Sequence, residues 1–247
     1  MPFDGDRSTI QNEFTRTAKT FGERTIGRFD HMGVVAFSRA ESGSSVCEVG
    51  AGTGNFLSLF SDLAGHLIAV DLTEAMLLEA RRLHDRMDLV IGDGGGLPLR
   101  GSSIDLVACA QMLHHVGDPV PVLSEMARVS RRHVLVVDQI STEDPSEIEA
   151  MNAIEMLRDP SHASSRPPSA LRALLSAAGL DIVDEAIHET EDSFSNWMGA
   201  DEFPQRRVDA VMNLVETTGA ETGMGWTLQD GEWSFVRRRM MLLSGPK

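Results

Sequence analysis

Residues 46–56 read Val46-Cys47-Glu48-Val49-Gly50-Ala51-Gly52-Thr53-Gly54-Asn55-Phe56. An apolar run carrying one acid is followed by three glycines at alternate positions, and an amphipathic pattern begins after them. This order predicts a strand at 45–49, a tight turn and a helix at 54–64. Glycine accepts the positive φ of such a turn and lets a ligand approach the main chain closely. The stretch therefore predicts a ligand site built partly from backbone groups.

The remaining pattern alternates strands and helices up to residue 140. Further strands are expected at 67–71, 89–91, 104–110 and 134–137, and helices at 8–30, 73–86 and 120–129. Several strands are continuous apolar runs, which are typical of a parallel sheet covered on both faces. Beyond residue 140, helices are expected at 141–158, 167–178 and about 204–217, and strands at 180–187 and 234–243. The pattern predicts an α/β, doubly wound, mostly parallel sheet of seven strands with helices on both faces.

Composition narrows the class of protein. The net charge of −15 argues against a nucleic-acid site, and Arg237-Arg238-Arg239 is interpreted as solvated or paired side chains split between two strand faces. No run of 18 apolar residues or N-terminal secretory signal is present in the 247 residues, so a cytoplasmic protein with no membrane association is expected. The two cysteines, Cys47 and Cys109, are expected to be buried and reduced. No metal-ligand spacing is found among histidines and cysteines, so no metal is predicted.

Polar residues follow the predicted strands at the edge where ligands bind to such sheets. Asp71 ends the second strand, Gly92-Asp93 ends the third, and Ala110-Gln111-Met112-Leu113-His114-His115 ends the fourth. The carboxylate of Asp71 is placed to accept hydrogen bonds from two ribose hydroxyls; a helix N-cap is the structural alternative for both aspartates. The glycines are spaced G-x-G-x-G, and Asn55 stands where a dinucleotide-binding turn has its last glycine.

Taken together, these segments resemble the class I S-adenosylmethionine-dependent methyltransferases, particularly the small-molecule branch that includes ubiquinone and menaquinone biosynthesis methyltransferases. The resemblance covers residues 40–190, on the motifs at 48–54, 70–76, 92–98 and 105–115. It implies a Rossmann-like sheet whose last strand is antiparallel. It also implies S-adenosyl-L-methionine as cofactor, with S-adenosyl-L-homocysteine as product.

The resemblance further implies roles for twelve cofactor-binding residues. Glu48 and the backbone at Gly50, Gly52 and Gly54 would hold the methionine part, and Asp71 would bind the ribose. Adenine roles fall to Leu72, Met76, Asp93 and Gly94, and pocket-lining roles to Gln111 and Met112. Ala51, within the glycine turn, is also expected to contact the cofactor.

Three histidines are candidate catalytic residues. His115 or His114 is expected to face the transferred methyl group as base or orienter, since imidazole exchanges protons near neutral pH; the other would be packed inside the fold. His162 lies in a break between two helices, in the region where this family covers its substrate, and a surface-loop histidine is the alternative.

A single methyltransferase domain is expected over 1–247, with a cofactor-binding core at 40–140. The N-terminal helix 8–30 and the segments 141–165 and 192–230 are predicted to form a lid over the substrate. Trp197, Met198, Trp226 and Trp233 cluster in the last segment, either around an apolar substrate or dimer surface or as a satellite core.

The sequence therefore predicts an enzyme that methylates carbon, oxygen or nitrogen of a small, fairly apolar metabolite, working as a monomer or homodimer. Two alternatives remain at this point. A protein of the same fold could keep the cofactor without transferring methyl, and a nicotinamide oxidoreductase would share the first strand, turn and Asp71.

Overall fold

The computed structural model describes residues 7–199 and 203–246. Residues 1–6, on which the expectation of no secretory signal rests, lie outside the described residues, as do residues 200–202 of the last predicted lid segment and residue 247 at the predicted domain end.

A mixed sheet forms the centre of the described chain. Its strands are β1 Ser45–Val49, β2 His66–Asp71, β3 Asp88–Ile91, β4 Ile104–Ala110, β5 Ser130–Gln139, β6 Leu180–Ser193, β7 Thr227–Gln229 and β8 Glu232–Pro246. Seven follow the order β3-β2-β1-β4-β5-β8-β6, and β7 pairs with β8 as a short hairpin. Neighbouring strands from β3 to β5 are parallel, whereas β8 runs antiparallel to β5, β6 and β7. The predicted fold is confirmed, with β7 added as an eighth strand.

The helices lie on both faces of this sheet and at its carboxyl edge. They are α1 Arg7–Arg24, α2 Val34–Phe37, α3 Glu74–Leu83, α4 Val120–Val129, α5 Pro145–Arg158, α6 Pro168–Ala177, α7 Phe194–Met198 and α8 Gln205–Thr218. No helix among these described residues combines the length and the apolar character that crossing a bilayer requires.

The helix predicted at 54–64 is wrong in type and length. The chain leaves the glycine turn through bends and forms only a 3₁₀ helix at Leu57–Phe60. The N–H of Leu57 donates to the Glu48 carboxylate, 3.1 Å away, and the N–H of Leu59 reaches back only three residues to the carbonyl of Phe56. The amphipathic pattern arises because Phe56, Leu57 and Phe60 are buried against the sheet. A short 3₁₀ turn buries them as well as an α-helix would, so the pattern does not distinguish the two.

Two apolar cores flank the sheet because side chains alternate along each strand. In β5, Val134 and Val136 pack with residues of α4 and α6, while Leu135 and Val137 pack on the opposite face. All four are fully buried, as a strand covered on both faces requires.

A third core lies in the C-terminal part of the chain. Trp197, Met198 and Trp226 are buried there with Phe235, and Trp233 packs against the cluster. The satellite-core interpretation of these aromatic residues is therefore confirmed, although Trp197 also lines a cavity described below.

Candidate active site

A cavity of about 350 Å³ opens where β1, β2, β3 and β4 end, and helix α1 covers one side of it. The structure brings eleven of the twelve predicted cofactor residues to its walls, together with His115. The eleven are Glu48, Gly50, Ala51, Gly52, Asp71, Leu72, Met76, Asp93, Gly94, Gln111 and Met112. Gly54 is not among the lining residues.

The glycine turn needs its glycines for different reasons. Gly50, Gly52 and Gly54 have φ of 70°, 53° and 75°, which side-chain-bearing residues rarely adopt. A Cβ at Gly50 would lie 2.3 Å from Cγ of Met112, and one at Gly54 would lie 2.9 Å from Sδ of Met87. A Cβ at Gly52 would meet no protein atom within 4 Å. Gly52 is thus the glycine whose bare face borders open cavity, whereas Gly54 allows close packing.

Asp71 is tied into this turn. One carboxylate oxygen accepts from the N–H of Gly52 and the other from the N–H of Thr73, both at 2.7 Å. Burial raises the pKa of Asp71, and these N–H donors oppose the shift. Asp71 is not an N-cap, because α3 begins after Thr73. Each oxygen keeps an unused lone pair for a ligand hydroxyl.

Glu48 is only 1 % exposed, although it borders the cavity. Its Oε2 accepts from the N–H of Leu57. Burial raises the pKa of this carboxyl well above its ordinary value. A cationic ligand group nearby would therefore gain a carboxylate partner that water does not already stabilise.

Helix α1 is fastened to the residues that follow β2 and β3. Arg7 forms an ion pair with Asp93 at 2.6 Å, and the side-chain amide of Gln11 donates to the carbonyl of Leu72 at 3.0 Å. At the other end of α1, the amide of Asn55 donates to the carbonyl of Gly22 at 2.8 Å. Asn55, which stands where a dinucleotide-binding turn has its last glycine, thus anchors α1 to the turn.

Gln111 combines a strained backbone conformation with a side-chain amide nitrogen that has no hydrogen-bond partner. Its φ of 53° lies in the left-handed region, and its N–H donates to the carbonyl of Val137 at 2.8 Å. Its side-chain Nε2 is buried without a hydrogen-bond partner. A ligand that accepts from this amide would remove the cost of burying it unpaired.

His115 follows β4 in a short 3₁₀ turn and is buried. Its Nδ1 lies 3.1 Å from both the carbonyl and the hydroxyl oxygen of Ser161, and the hydroxyl donates to Asp159. A carbonyl can only accept, so this contact places the imidazole proton on Nδ1 and leaves the Nε2 lone pair unused. The ring of Phe14 meets the ring of His115 edge-on at 5.1 Å.

The other two histidines are held by different partners. His114 Nδ1 lies 2.6 Å from Asp138 Oδ1, and the backbone N–H of His114 donates to the second oxygen of Asp138. Burial lowers the pKa of His114 and raises that of Asp138 to about 6, so the interior favours the neutral form of both.

His162 is buried rather than a surface-loop residue, and its Nε2 lies 2.9 Å from Asn152 Oδ1. Burial lowers its pKa to about 2. His162 lines neither the first cavity nor the second cavity described next.

A second cavity of about 280 Å³ adjoins the first and shares Phe14, Phe21, Arg28, Gln111 and His115 with it. Its walls carry five arginines, which sequence inspection did not single out as site residues: Arg24, Arg28, Arg158, Arg237 and Arg239. The expectation of solvated or paired side chains at 237–239 fails for Arg239, which is buried with an unpartnered Nε. The sequence did carry one signal for these arginines: side chains alternate along β8, so Arg237 and Arg239 lie on the same face of the strand.

Comparisons with known proteins agree with this geometry. Residues 47–137 match the family described as "Methyltransferase domain". The uncharacterized methyltransferase YcgJ of Bacillus subtilis is 28% identical over 224 residues, covering 86% of this chain and 88% of that protein. A demethylmenaquinone methyltransferase of Renibacterium salmoninarum is 33% identical over 92 residues, covering 37% of this chain and 39% of that one.

The fold is also found in solved structures. The crystal structure of YcgJ from Bacillus subtilis superposes with a TM-score of 0.78 at 24% identity, covering 87% of this chain and 97% of that one. The superposition shows a shared fold, and the family match covers the glycine turn, Asp71 and Asp93. The match of residues 47–137 to the methyltransferase domain family supports a class I S-adenosylmethionine-dependent methyltransferase.

Proposed function

We propose that this methyltransferase holds its cofactor in the first cavity and a small-molecule acceptor in the second, with His115 between them. The observation that carries the proposal is the position of His115 on a wall common to both cavities. Methyl transfer requires donor and acceptor to meet, and this shared wall is where two ligands held separately would do so.

The residues of the first cavity fit S-adenosylmethionine. The open face at Gly52 admits a ligand to the main chain, and the unpaired Nε2 of Gln111 offers a donor. The remaining lone pairs of Asp71 suit the two ribose hydroxyls. Buried Glu48 suits the cationic amino-acid end.

The predicted adenine site borders the ion pair between Asp93 and Arg7. Asp93 accepts from the N–H of Gly95 through one oxygen and pairs with Arg7 through the other. Each oxygen keeps a second lone pair that would accept from the adenine amino group, with Leu72 and Met76 against the ring. Arg7 is 74% exposed at its side chain, so displacing it to make room would cost little.

Placement supplies most of the rate acceleration in this scheme. When bound, S-adenosylmethionine supplies an activated methyl group on a positively charged sulfur. Holding the acceptor atom in line with it contributes on the order of 7–11 kcal/mol. The walls that would do this are Phe14, Gln111 and the His115 ring, all of which border both cavities.

His115 is proposed as the base. S-adenosylmethionine would supply the methyl group, and the proton that the acceptor loses as its nucleophilic atom takes up that group would pass to His115 Nε2. The Ser161 carbonyl holds the proton already on Nδ1, so Nε2 is the nitrogen that can accept. His114 and His162 are proposed as supports rather than bases, since Asp138 and Asn152 engage their ring nitrogens.

The lid assignment rests on which segments border the cavities. Helix α1 lines both, and Arg158, Asp159, Asp192, Asn196 and Trp197 from the segments 141–165 and 192–230 line the second. We propose that the chain works as one domain in which these segments exclude water from the acceptor.

Calorimetry with S-adenosylhomocysteine tests the cofactor assignment. Wild-type protein should bind it, and Asp71→Ala should weaken binding about 10- to 150-fold through lost hydrogen bonds to a charged acceptor. Asp88→Ala is the matched control, because Asp88 is an exposed aspartate at the start of β3, on the opposite edge of the sheet. No binding by the wild type, or equal binding by Asp71→Ala, would contradict the assignment.

A further inference from the structure

The second cavity concentrates positive charge in a chain whose net charge is −15. Among the described residues, five arginines and three carboxylates line it, the latter being Asp159, Glu191 and Asp192. Two of the carboxylates are engaged: Asp192 pairs with Arg237 at 2.9 Å, and Asp159 accepts from the hydroxyl and N–H of Ser161. Arginines therefore outnumber carboxylates among the described residues on the walls of this cavity.

Arg239 is the clearest case. It is 6% exposed, and its Nη1 donates to the hydroxyl of Thr190 at 3.1 Å. Its Nε is buried without a partner, and burial, followed by the charge of Arg237, lowers its pKa to about 9. The charges of Asp192 and Asp138 oppose this shift, but neither carboxylate forms an ion pair with Arg239, so burial of the guanidinium is only partly compensated. This guanidinium lies at the wall of the second cavity, where a ligand would meet it.

Arg28 adds a second uncompensated charge, on the wall shared with the first cavity. Within the described residues its guanidinium has no ion pair or hydrogen bond, and its contact is the ring of Phe21, 5.5 Å away. Burial and the charges of Arg237 and Arg239 lower its pKa well below the ordinary value. Arg158, by contrast, is held by the Trp197 carbonyl and by Glu155.

Guanidinium groups are suited to carboxylate and phosphate, because their planar donor array can bind two oxygens at once. An oxyanion in this cavity would supply the missing negative charge and accept hydrogen bonds from the unused N–H donors. No other ligand chemistry uses both features: an apolar ligand would leave Arg28 and Arg239 without an ion-pair partner, and a cation would be repelled.

We infer that the methyl acceptor carries an oxyanion, a carboxylate or a phosphate, which Arg28 and Arg239 bind in the second cavity while the acceptor's reacting atom faces His115. This inference rests on the proposed function, since it places the acceptor beside the cofactor cavity. It sharpens the expectation of a fairly apolar acceptor: the apolar part would lie against Phe14, Phe21 and Trp197, and the anion against the arginines.

The test is calorimetry with inorganic phosphate and, separately, malonate, at constant ionic strength and with saturating S-adenosylhomocysteine occupying the first cavity. Malonamide serves as the uncharged probe. Wild-type protein should bind one or both anions and not malonamide, and the preferred anion identifies the acceptor's group. Arg239→Met should weaken that binding about 10- to 150-fold, and Arg239→Lys should weaken it less.

Arg238→Met is the matched control, because Arg238 is the next residue of β8 but pairs with Glu189 and lies outside the second cavity. Its anion binding should equal that of the wild type. If wild-type protein binds S-adenosylhomocysteine but neither anion, or if Arg239→Met and Arg238→Met bind equally, the inference is overturned and the proposed function stands. Failure to bind S-adenosylhomocysteine would instead overturn the proposed function.

Discussion

Replacing Gly50 or Gly52 by alanine separates two roles that the sequence motif does not distinguish. Both residues have positive φ, 70° and 53°, so alanine at either position costs about 1–2 kcal/mol in backbone strain. At Gly50 the new methyl group would also lie 2.3 Å from Cγ of Met112. Overpacking of this kind adds about 1–3 kcal/mol.

The expected loss in unfolding free energy is therefore about 1–2 kcal/mol for Gly52→Ala and about 2–5 kcal/mol for Gly50→Ala. In a Met112→Ala background the 2.3 Å contact is gone, although the Cβ at position 112 stays 3.0 Å away, so Gly50→Ala should cost little more than the strain. Urea unfolding followed by circular dichroism measures all four proteins of this double-mutant cycle.

Cofactor binding should show that Gly52→Ala matters despite its smaller effect on stability. Its methyl group enters open space beside the cavity, so binding of S-adenosylhomocysteine should weaken although the fold is nearly intact. Equal destabilisation by the two substitutions, or no relief of Gly50→Ala by Met112→Ala, would refute this account of the turn.

Three further predictions concern catalysis, pH and thiol reactivity. His115→Gln should lower kcat about 10²- to 10⁴-fold for an acceptor that must lose a proton, while binding of S-adenosylhomocysteine stays unchanged. His66→Gln, at the opposite edge of the sheet, is the control. A similar loss of kcat in both variants would argue against His115 as a base. Burial raises the pKa of Glu48 above its ordinary 4.5, so the folded state holds this proton more tightly than the unfolded chain. Unfolding free energy should therefore fall as pH rises above 4.5, and should fall less steeply in Glu48→Gln; parallel curves would contradict this. Burial also raises the pKa of Cys47 to about 12 and that of Cys109 well above its ordinary value, so an aromatic disulfide reagent should label neither thiol until the protein unfolds; rapid labelling of the native protein would be the contrary result.

Local patterns were sufficient to predict the sheet and most of the residues that line the first cavity. The strands at 45–49 and 104–110 match their predicted bounds, because continuous apolar runs bounded by polar residues mark strands buried on both faces. The carboxyl ends of parallel strands share one edge, so residues that follow them, such as Asp71 and Gln111, converge on one cavity.

Features that depend on contacts between distant residues were not available from these patterns. The 3₁₀ turn after Gly54 depends on Glu48 accepting from the N–H of Leu57, and the separate fates of His114 and His115 depend on Asp138 and Ser161. The arginine-lined cavity combines α1 with β8, more than 200 residues apart in the chain. A run of like charges in a sequence is usually solvated. Arg239 of the run 237–239 is buried only because of the tertiary fold.

A crystal structure of the complex with S-adenosylhomocysteine would show whether the cofactor reaches the wall that the two cavities share. We expect ribose hydroxyls within hydrogen-bond distance of the Asp71 carboxylate, and a sulfur atom at the shared wall, facing His115. A sulfur atom directed away from the second cavity, or a nucleoside bound away from Asp71, would contradict it.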